Sequence, residues 1–473
     1  MGSWLSTYSG RRDHRKATAI RRENFAIFLQ CISVKPQRIS VKLNRYLAYY
    51  NSHKRNRTTI RGNRMTSDAQ RPTWTNWVGN QSFAPSAIIE VASEAEIATL
   101  VARAAAQGIG VRTFGTGHSF TPIIETDGLL LDTQRLRGVI AIDAARQQVT
   151  ALPKTTVGDF GEPLWEAGLA LANQGDIDTQ AIAGAIATGT HGSGNHLPSF
   201  SATLIGARFV DGLGNLVTVS ATENAEVLPA LQTSLGLLGL LTSLTIKVIP
   251  AYHLHARTAT LPYGEVIERF AEFAANNRSF SFFWMPSDES AALYCLDNGK
   301  RDDCAIRFFN EAPPDMPRQK LPANERLDRA YRIYPMHYDP NFHEMEYFLP
   351  LEAATDILQE MRKLMFRWLP LSVYPLEIRT VAQDNAWMSP NYGRDNLVVS
   401  VSGKPGDDYW GYLRACDALF AEFKGRPHWG KLHFMTADRL DRLFPRYEDF
   451  VAMRRRFDPQ GTFLNAHTRA LFE

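Results

Sequence analysis

Phe114-Gly115-Thr116-Gly117-His118-Ser119-Phe120 closes the strand-like run Gly110 to Phe114, and the fold is decided by how this stretch is read. Two glycines one residue apart let a backbone turn tightly and bring its N–H donors against an anionic group such as a pyrophosphate. A Rossmann dinucleotide fingerprint would need a third glycine where Phe120 stands, with a helix opening there. Pro122 follows instead, which excludes that fold. An ordinary glycine turn remains the plain alternative for this segment alone. It is not alone, because Ala183-Gly184-Ala185-Ile186-Ala187-Thr188-Gly189-Thr190-His191-Gly192-Ser193-Gly194 sets four glycines among small and hydroxylated residues. Such a composition packs no core and suits backbone laid against a flat ligand. Two loops of this kind point to one extended cofactor.

Working outward, Ser86 to Ser93 reads as a strand, and Ser93 caps a helix from Glu94 to Gln107, with Glu96 closing a capping box and Gly108 ending it. The strand leading into Phe114 completes a strand, helix, strand opening. Leu129 to Thr133 and a β pair within Val139 to Pro153 follow, then a helix from Thr155 to Leu169 with Thr156 as cap. Leu204 to Ser220 reads as a hairpin turning at Asp211-Gly212-Leu213-Gly214-Asn215, and Leu241 to Tyr252 closes the unit. Beyond Leu254 the texture changes. Aromatics gather between Phe270 and Pro286, prolines mark a loop between Pro313 and Pro322, and a helix from Leu351 to Leu369 separates strands at Glu344 to Leu349 and Leu376 to Ala382, with Leu397 to Gly403 as a further buried strand. The expected architecture is α+β in two domains.

The chain of 473 residues is 44% hydrophobic and 21% charged, so it can bury a large core and is neither disordered nor fibrous. Its four cysteines, Cys31, Cys295, Cys304 and Cys416, form no CxxC, which leaves neither a disulfide framework nor a zinc knuckle. The net charge of +3 hides two opposite parts: residues 1–64 carry 15 Lys and Arg against 2 Asp and Glu, and the remainder carries 37 against 47. The acidic body argues against nucleic acid as a partner. Only the leader 1–64 could bind polyanions. It reads as sequence ahead of a start at Met65, as a transit peptide, or as a basic arm, and in each case as disordered by itself. No apolar run is long enough to span a membrane, so the expectation is a soluble cytoplasmic protein whose leader offers peripheral membrane contact.

Glu377 and Arg379, one residue apart in Tyr374 to Ala382, project from one strand face, as a salt bridge or as a substrate-holding pair. His428 and His433 lack a third ligand nearby, and the fifth position of His343-Glu344-Met345-Glu346 is Tyr347, so no metal is expected. No GxSxG elbow is present.

In order, GTGHSF at a strand end, AGAIATGTHGSG, the run from Ser234 to Tyr252, Glu344-Met345-Glu346-Tyr347, Glu377-Ile378-Arg379, Pro427-His428-Trp429-Gly430-Lys431 and Phe457-Asp458-Pro459 through Asn465 resemble the FAD-linked aldonolactone oxidoreductases of the vanillyl-alcohol oxidase superfamily. These include D-arabinono-1,4-lactone oxidase, L-gulonolactone oxidase and alditol oxidase. The resemblance runs from Trp74 to Phe472. It implies a PCMH-type FAD-binding domain over residues 80–255, a substrate cap over 256–425, and a C-terminal segment 426–473 that completes the flavin site. It also implies FAD bonded covalently through His118, cofactor contacts from Gly115, Thr116, Gly117, Ser119, Gly184, Gly189, Ser193 and His428, and catalytic roles for Glu377, Arg379 and Lys431, the first two also binding substrate. The implied reaction oxidises a sugar lactone, with O2 reduced to hydrogen peroxide. An alditol as substrate, a quinone or cytochrome as acceptor, and a flavin-retaining scaffold without turnover are the alternatives.

Overall fold

The computed structural model describes residues 71–296, 298–312, 321–336 and 341–473; the leader 1–64, Cys31 and most of the Pro-rich stretch lie outside them. β1 (Ala87–Glu90), α1 (Glu94–Ala106), β2 (Val111–Phe114) and β3 (Leu129–Asp132) form the opening unit, a parallel sheet in the order β1-β3-β2. Helix α1 buries Ile97, Val101, Ala104 and Ala105, the one-face spacing of a helix, against Val111, Leu131, Val210 and Phe463. The Ser93 side chain accepts from Glu96 N at 3.2 Å. The Glu96 carboxylate in turn accepts from Ala92 N at 2.8 Å, one residue ahead of the cap, so the capping box is displaced by one residue.

A second, antiparallel sheet contains β4 (Val139–Asp143), β5 (Gln148–Ala151), β6 (Leu204–Val210), β7 (Leu216–Val219) and β8 (Leu240–Lys247) in the order β7-β6-β8-β5-β4. The β6-β7 hairpin turns as its glycines predict, with Asp211 Oδ1 accepting from Leu213 N and Asn215 N. The helix expected between Thr155 and Leu169 is shorter and in two pieces, a 3-10 turn Val157–Phe160 and an α segment Gly161–Glu166. Between β5 and β6 lies α2 (Ile182–Thr188).

From His253 onward the chain builds one eight-stranded antiparallel sheet. Its strands are β9 (His253–Pro262), β10 (Ser279–Trp284), β11 (Asp303–Glu311), β12 (Glu325–Arg329), β13 (His343–Pro350), β14 (Leu376–Val381), β15 (Asn396–Gly403) and β16 (Arg426–Pro427), in the order β12-β9-β11-β10-β14-β15-β13-β16. Two helices, α3 (Ala354–Trp368) and α4 (Trp410–Glu422), cover one face. Alternation then sorts the side chains. Phe280, Phe282, Met345, Tyr347, Ile378, Val399 and Val401 join Ile357, Met361 and Met365 of α3 and Leu413 and Phe420 of α4 in the main core. Register places Phe283 opposite Glu377, Glu377 opposite Ser400, and Ser400 opposite Glu346, while Arg307 faces Ser281. The second face therefore sets charged and hydroxyl side chains among a few apolar ones such as Phe283, Phe348 and Val398, and it is buried all the same.

The C-terminal segment returns to the opening unit. Val111 N donates to Thr462 O at 2.8 Å, Arg112 Nη1 to Phe463 O at 2.8 Å, and Asn465 Nδ2 to Pro122 O at 2.8 Å. Asp458 shapes the return by accepting from Thr462 N at 2.7 Å and Phe463 N at 2.9 Å. Among the described residues no helix is long and apolar enough to cross a membrane.

Replacing Asp458 with Ala leaves the N–H donors of Thr462 and Phe463, both buried residues, without their partner. The loss should cost about 2 to 4 kcal/mol, seen as a lower denaturant midpoint with an unchanged slope.

Candidate active site

The stretch that decides the fold is held by a short hairpin that sequence reasoning did not find. Trp74–Thr75 pairs with Ser82–Phe83, and residues of this hairpin satisfy the carbonyls of the glycine loop one after another. Trp77 N donates to Gly117 O at 3.1 Å, Trp77 Nε1 to His118 O at 3.1 Å, Asn76 Nδ2 to Ser119 O at 2.9 Å, and Gln81 Nε2 to Phe120 O at 2.9 Å. From the C-terminal side Gly430 O accepts from Phe120 N at 2.7 Å. Gly117 takes φ +72°, and a side chain there would press its Cβ to 3.1 Å from the Trp74 ring.

These contacts fix His118 on the wall of a cleft lined from both glycine loops and from the C-terminal segment. Gly115, Thr116, Gly117, His118, Ser119, Gly184, His428 and Lys431 line it together. Trp74, Trp77 and Glu344 also stand on the wall, and none of these three was singled out as a cofactor contact from the sequence. His118 Nε2 meets Thr179 Oγ1 at 3.2 Å, whereas Nδ1 is buried with no hydrogen-bond partner among the described residues. Burial, helped by the Lys431 charge, lowers the His118 pKa to about 4, so the ring is neutral at pH 7. A Cβ built on Gly184 meets nothing within 4 Å, which leaves open space against that backbone. A neutral imidazole with one unengaged nitrogen, on the wall of a long glycine-edged cleft, fits an FAD cofactor. Gly189 and Ser193 stand off the cleft wall. Gly189, at φ +80°, ends α2. The Ser193 hydroxyl donates to Phe280 O at 2.5 Å and accepts from Thr380 N at 3.2 Å, pinning the second glycine loop to the large sheet.

Glu377 and Arg379 share a face of β14, as their spacing predicts, and form an ion pair of 2.5 Å. Two further charges, unforeseen in the sequence, complete a cluster. Asp176, on the loop that leads into α2, accepts from Arg379 Nη2 at 2.7 Å, and Arg307 of β11 reaches both Asp176 and Glu377 at 3.2 Å. Burial, offset in part by Arg379, pushes the Glu377 carboxyl up to about 7. Lys431 pairs with Glu344; burial opposes its charge, but Glu344 and Glu346 more than compensate and hold its pKa above the usual lysine value. The two groups of charges feel one another, since Glu344 acts on Glu377 and Arg379 acts on Lys431 and His428.

His191, Glu346 and His428 bring three ligand-type atoms within 4.8 Å of one another. Those of His191 and Glu346 are hydrogen-bonded to each other at 3.0 Å, and Glu346 Oε2 accepts from Ser400 at 2.5 Å. His428 Nδ1 accepts from Gly430 N at 3.0 Å, so its Nε2 carries the proton; burial lowers its pKa to about 3 and keeps it neutral.

Two family profiles match the chain, an FAD binding domain over residues 85–220 and D-arabinono-1,4-lactone oxidase over residues 304–471. The chain is 34% identical over 424 residues to L-gulono-1,4-lactone dehydrogenase of Mycobacterium tuberculosis, across 84% of this chain and 98% of that one. It is 26% identical to L-gulonolactone oxidase of Bos taurus, across 84% and 97% of the two chains. With alditol oxidase of a Streptomyces species it shares 29% identity, across 84% and 99%. Among solved structures, cholesterol oxidase of B. sterolicum superposes with a TM-score of 0.75 at 14% identity, over 88% of this chain and 100% of that one, a likeness of fold.

Gly117→Ala forces a left-handed alanine into the Trp74 ring, at a backbone cost of about 1 to 2 kcal/mol before any contact is counted. Purified Gly117→Ala protein should carry less flavin per chain than the parent while its far-ultraviolet circular dichroism is unchanged.

Proposed function

This chain belongs to the FAD-linked aldonolactone oxidoreductases, flavoenzymes acting on CH–OH groups, and on that premise we propose that it oxidises a sugar-derived 1,4-lactone resembling D-arabinono-1,4-lactone, with O2 reduced to hydrogen peroxide. The observation that supports this reading is the charged cluster on the inner face of β14, in electrostatic reach of a cleft that has His118 and Lys431 on its wall. The proposal divides the chain into a cofactor domain at 80–255, completed by 426–473, and a substrate cap at 256–425.

The chemistry that FAD supplies when bound is acceptance of a hydride from a carbon bearing a hydroxyl. The side chains prepare that transfer. Arg379 donates to a substrate oxygen and steadies the negative charge that develops as the hydroxyl proton leaves. Glu377 accepts from substrate hydroxyls, and its raised proton affinity suits it to take that proton near neutral pH. Lys431 keeps a fixed positive charge at the cleft wall, where added electron density is favoured. Gly115, Thr116, Gly117, Ser119, Gly184 and His428 hold the cofactor, and His118 tethers it through the unengaged Nδ1. Gly189 and Ser193 serve that binding indirectly, by ending α2 and by fixing the loop after it.

The name of the Mycobacterium tuberculosis relative favours a second reading, a dehydrogenase that delivers electrons to a quinone or cytochrome. That of the Streptomyces relative favours an alditol as substrate. Anaerobic mixing of the holoenzyme with a panel of aldonolactones and alditols, followed by air, separates these readings. Bleaching of the flavin by 1,4-lactones and its return in air with peroxide is the expected result. Bleaching that persists in air and is reversed by a quinone makes the protein a dehydrogenase, and bleaching by alditols alone makes it an alditol oxidase.

Three outcomes follow from the side-chain roles. Acid-precipitated protein should keep its flavin fluorescence in the pellet, and His118→Ala protein should release it to the supernatant. Glu377→Gln and Arg379→Lys should fold and bind FAD but reduce it roughly 30-fold to 1000-fold more slowly in stopped flow. Because Glu377 must be ionised to take the proton, kcat/KM should rise with pH and level off above about 7, and this rise should vanish in Glu377→Gln.

A further inference from the structure

We propose that Asp176 is a specificity-determining residue that sets the charge of the substrate pocket, so that uncharged sugar lactones enter and their ring-opened aldonate anions are refused. The inference rests on the substrate reading above and deepens it. An aldono-1,4-lactone and the aldonate formed from it by hydrolysis share one carbon skeleton and one set of hydroxyl configurations. Contacts to hydroxyls therefore discriminate poorly between them. Charge discriminates well, because the aldonate carries a full negative charge that the lactone lacks.

Two guanidiniums side by side, Arg307 and Arg379, would make a receptor for a carboxylate, whose two oxygens match the planar fork of an arginine. In this structure a built-in carboxylate takes that place. Asp176 accepts from Nη2 of Arg379 at 2.7 Å and from both terminal nitrogens of Arg307 at 3.2 Å, with Glu377 as the second acid. All four side chains are at least 87% buried, so their charges are weakly screened. A lactone that enters adds no charge to this group. An aldonate would have to displace Asp176 or lie beside two carboxylates in a dry site, and each is costly.

Asp176 is also held in place. Met336 N donates to its backbone carbonyl at 2.8 Å. Three residues further on, Thr179 meets His118, and Ala181 N donates to Thr116 Oγ1 at 3.2 Å. One short segment thus carries the charge that filters the substrate and two contacts to the loop that holds the cofactor. An anion that pushes Asp176 aside disturbs both.

The test uses FAD-loaded parent and Asp176→Asn proteins. Each is titrated by calorimetry with arabinonate and with arabinono-1,4-lactone at low and high salt, both under anaerobic conditions against protein whose flavin has first been reduced, so that the lactone binds without reacting. The expected result is that Asp176→Asn binds arabinonate at least about tenfold more tightly than the parent does, with an affinity that falls as salt rises, while its lactone affinity changes far less. Equal changes for the two ligands, or no arabinonate binding by either protein, would overturn the proposal. Should Asp176→Asn not yield folded holoprotein, Glu377→Gln compared with the parent above about pH 8, where the parent's Glu377 is ionised, removes one negative charge from the same cluster and must show a gain of arabinonate; no gain overturns the proposal equally. The substrate reading fails separately, if no lactone or alditol bleaches the parent flavin, and arabinonate binding is measured independently of that bleaching.

Discussion

A buried sheet face that carries charge has to be met by charge. Ionised side chains removed from water are tolerated only when partners replace the lost hydration. The inner face of the eight-stranded sheet presents Arg307, Glu344, Glu346, Glu377 and Arg379, each facing away from the apolar layer that α3 and α4 cover. No one strand can satisfy that face. Its partners arrive from elsewhere: Asp176 from the loop before α2, His191 from the second glycine loop, and Lys431 from the C-terminal segment. The same meeting is reinforced by backbone, since Gly194 N donates to Thr380 O at 2.8 Å and Ser193 bonds to Phe280 O. The ion pairs that make burial of the face tolerable are the ones that gather the chemistry.

Much of this was legible in the sequence wherever the signal is local. The strand ending in GTGHS, the Ser93 cap, the Asp211 to Asn215 turn, and the shared face of Glu377 and Arg379 all depend on residues within a few positions of one another, and the structure has each of them. What stayed hidden depends on register across the sheet or on distant returns of the chain. Arg307 reads as one more arginine in an aromatic strand until pairing sets it beside Ser281, and Asp176 reads as a loop acid until β14 comes to face it. The hairpin from Trp74 to Phe83 is two residues per strand, too short for alternation to mark, although Trp74, Trp77 and Phe83 in so small a span were a signal that something is packed there. The displaced capping box and the broken helix at Val157 to Glu166 show the same boundary. Sequence patterns place an element, and tertiary contacts decide its ends.

The two faces of the large sheet divide the work between stability and chemistry. On the helix-covered face, Phe282, Ile378, Val399 and Met345 are fully or almost fully buried and leave no polar atom to satisfy. On the other, Glu377, Arg379, Arg307 and Glu344 are held by opposite charges and Glu346 by hydrogen bonds from His191 and Ser400, which confines each side chain to a narrow set of positions. Positions that differ by a single residue along β14 thus belong to different problems. Ile378 answers to packing volume, and Glu377 and Arg379 answer to charge.

The closure of the cleft by the far end of the chain bears on the order in which the molecule can be assembled. Arg112 binds Phe463 across 351 positions, and Asn465 reaches back across 343 to the carbonyl of Pro122. The ribosome exposes these residues long after the glycine loops. A nascent chain that has already made its glycine loops still lacks Gly430, Lys431 and the turn at Asp458, and so has a groove open along one side. Cofactor capture in the finished geometry therefore waits for these residues, and until they dock the chain must keep that groove from collapsing or from meeting its neighbours.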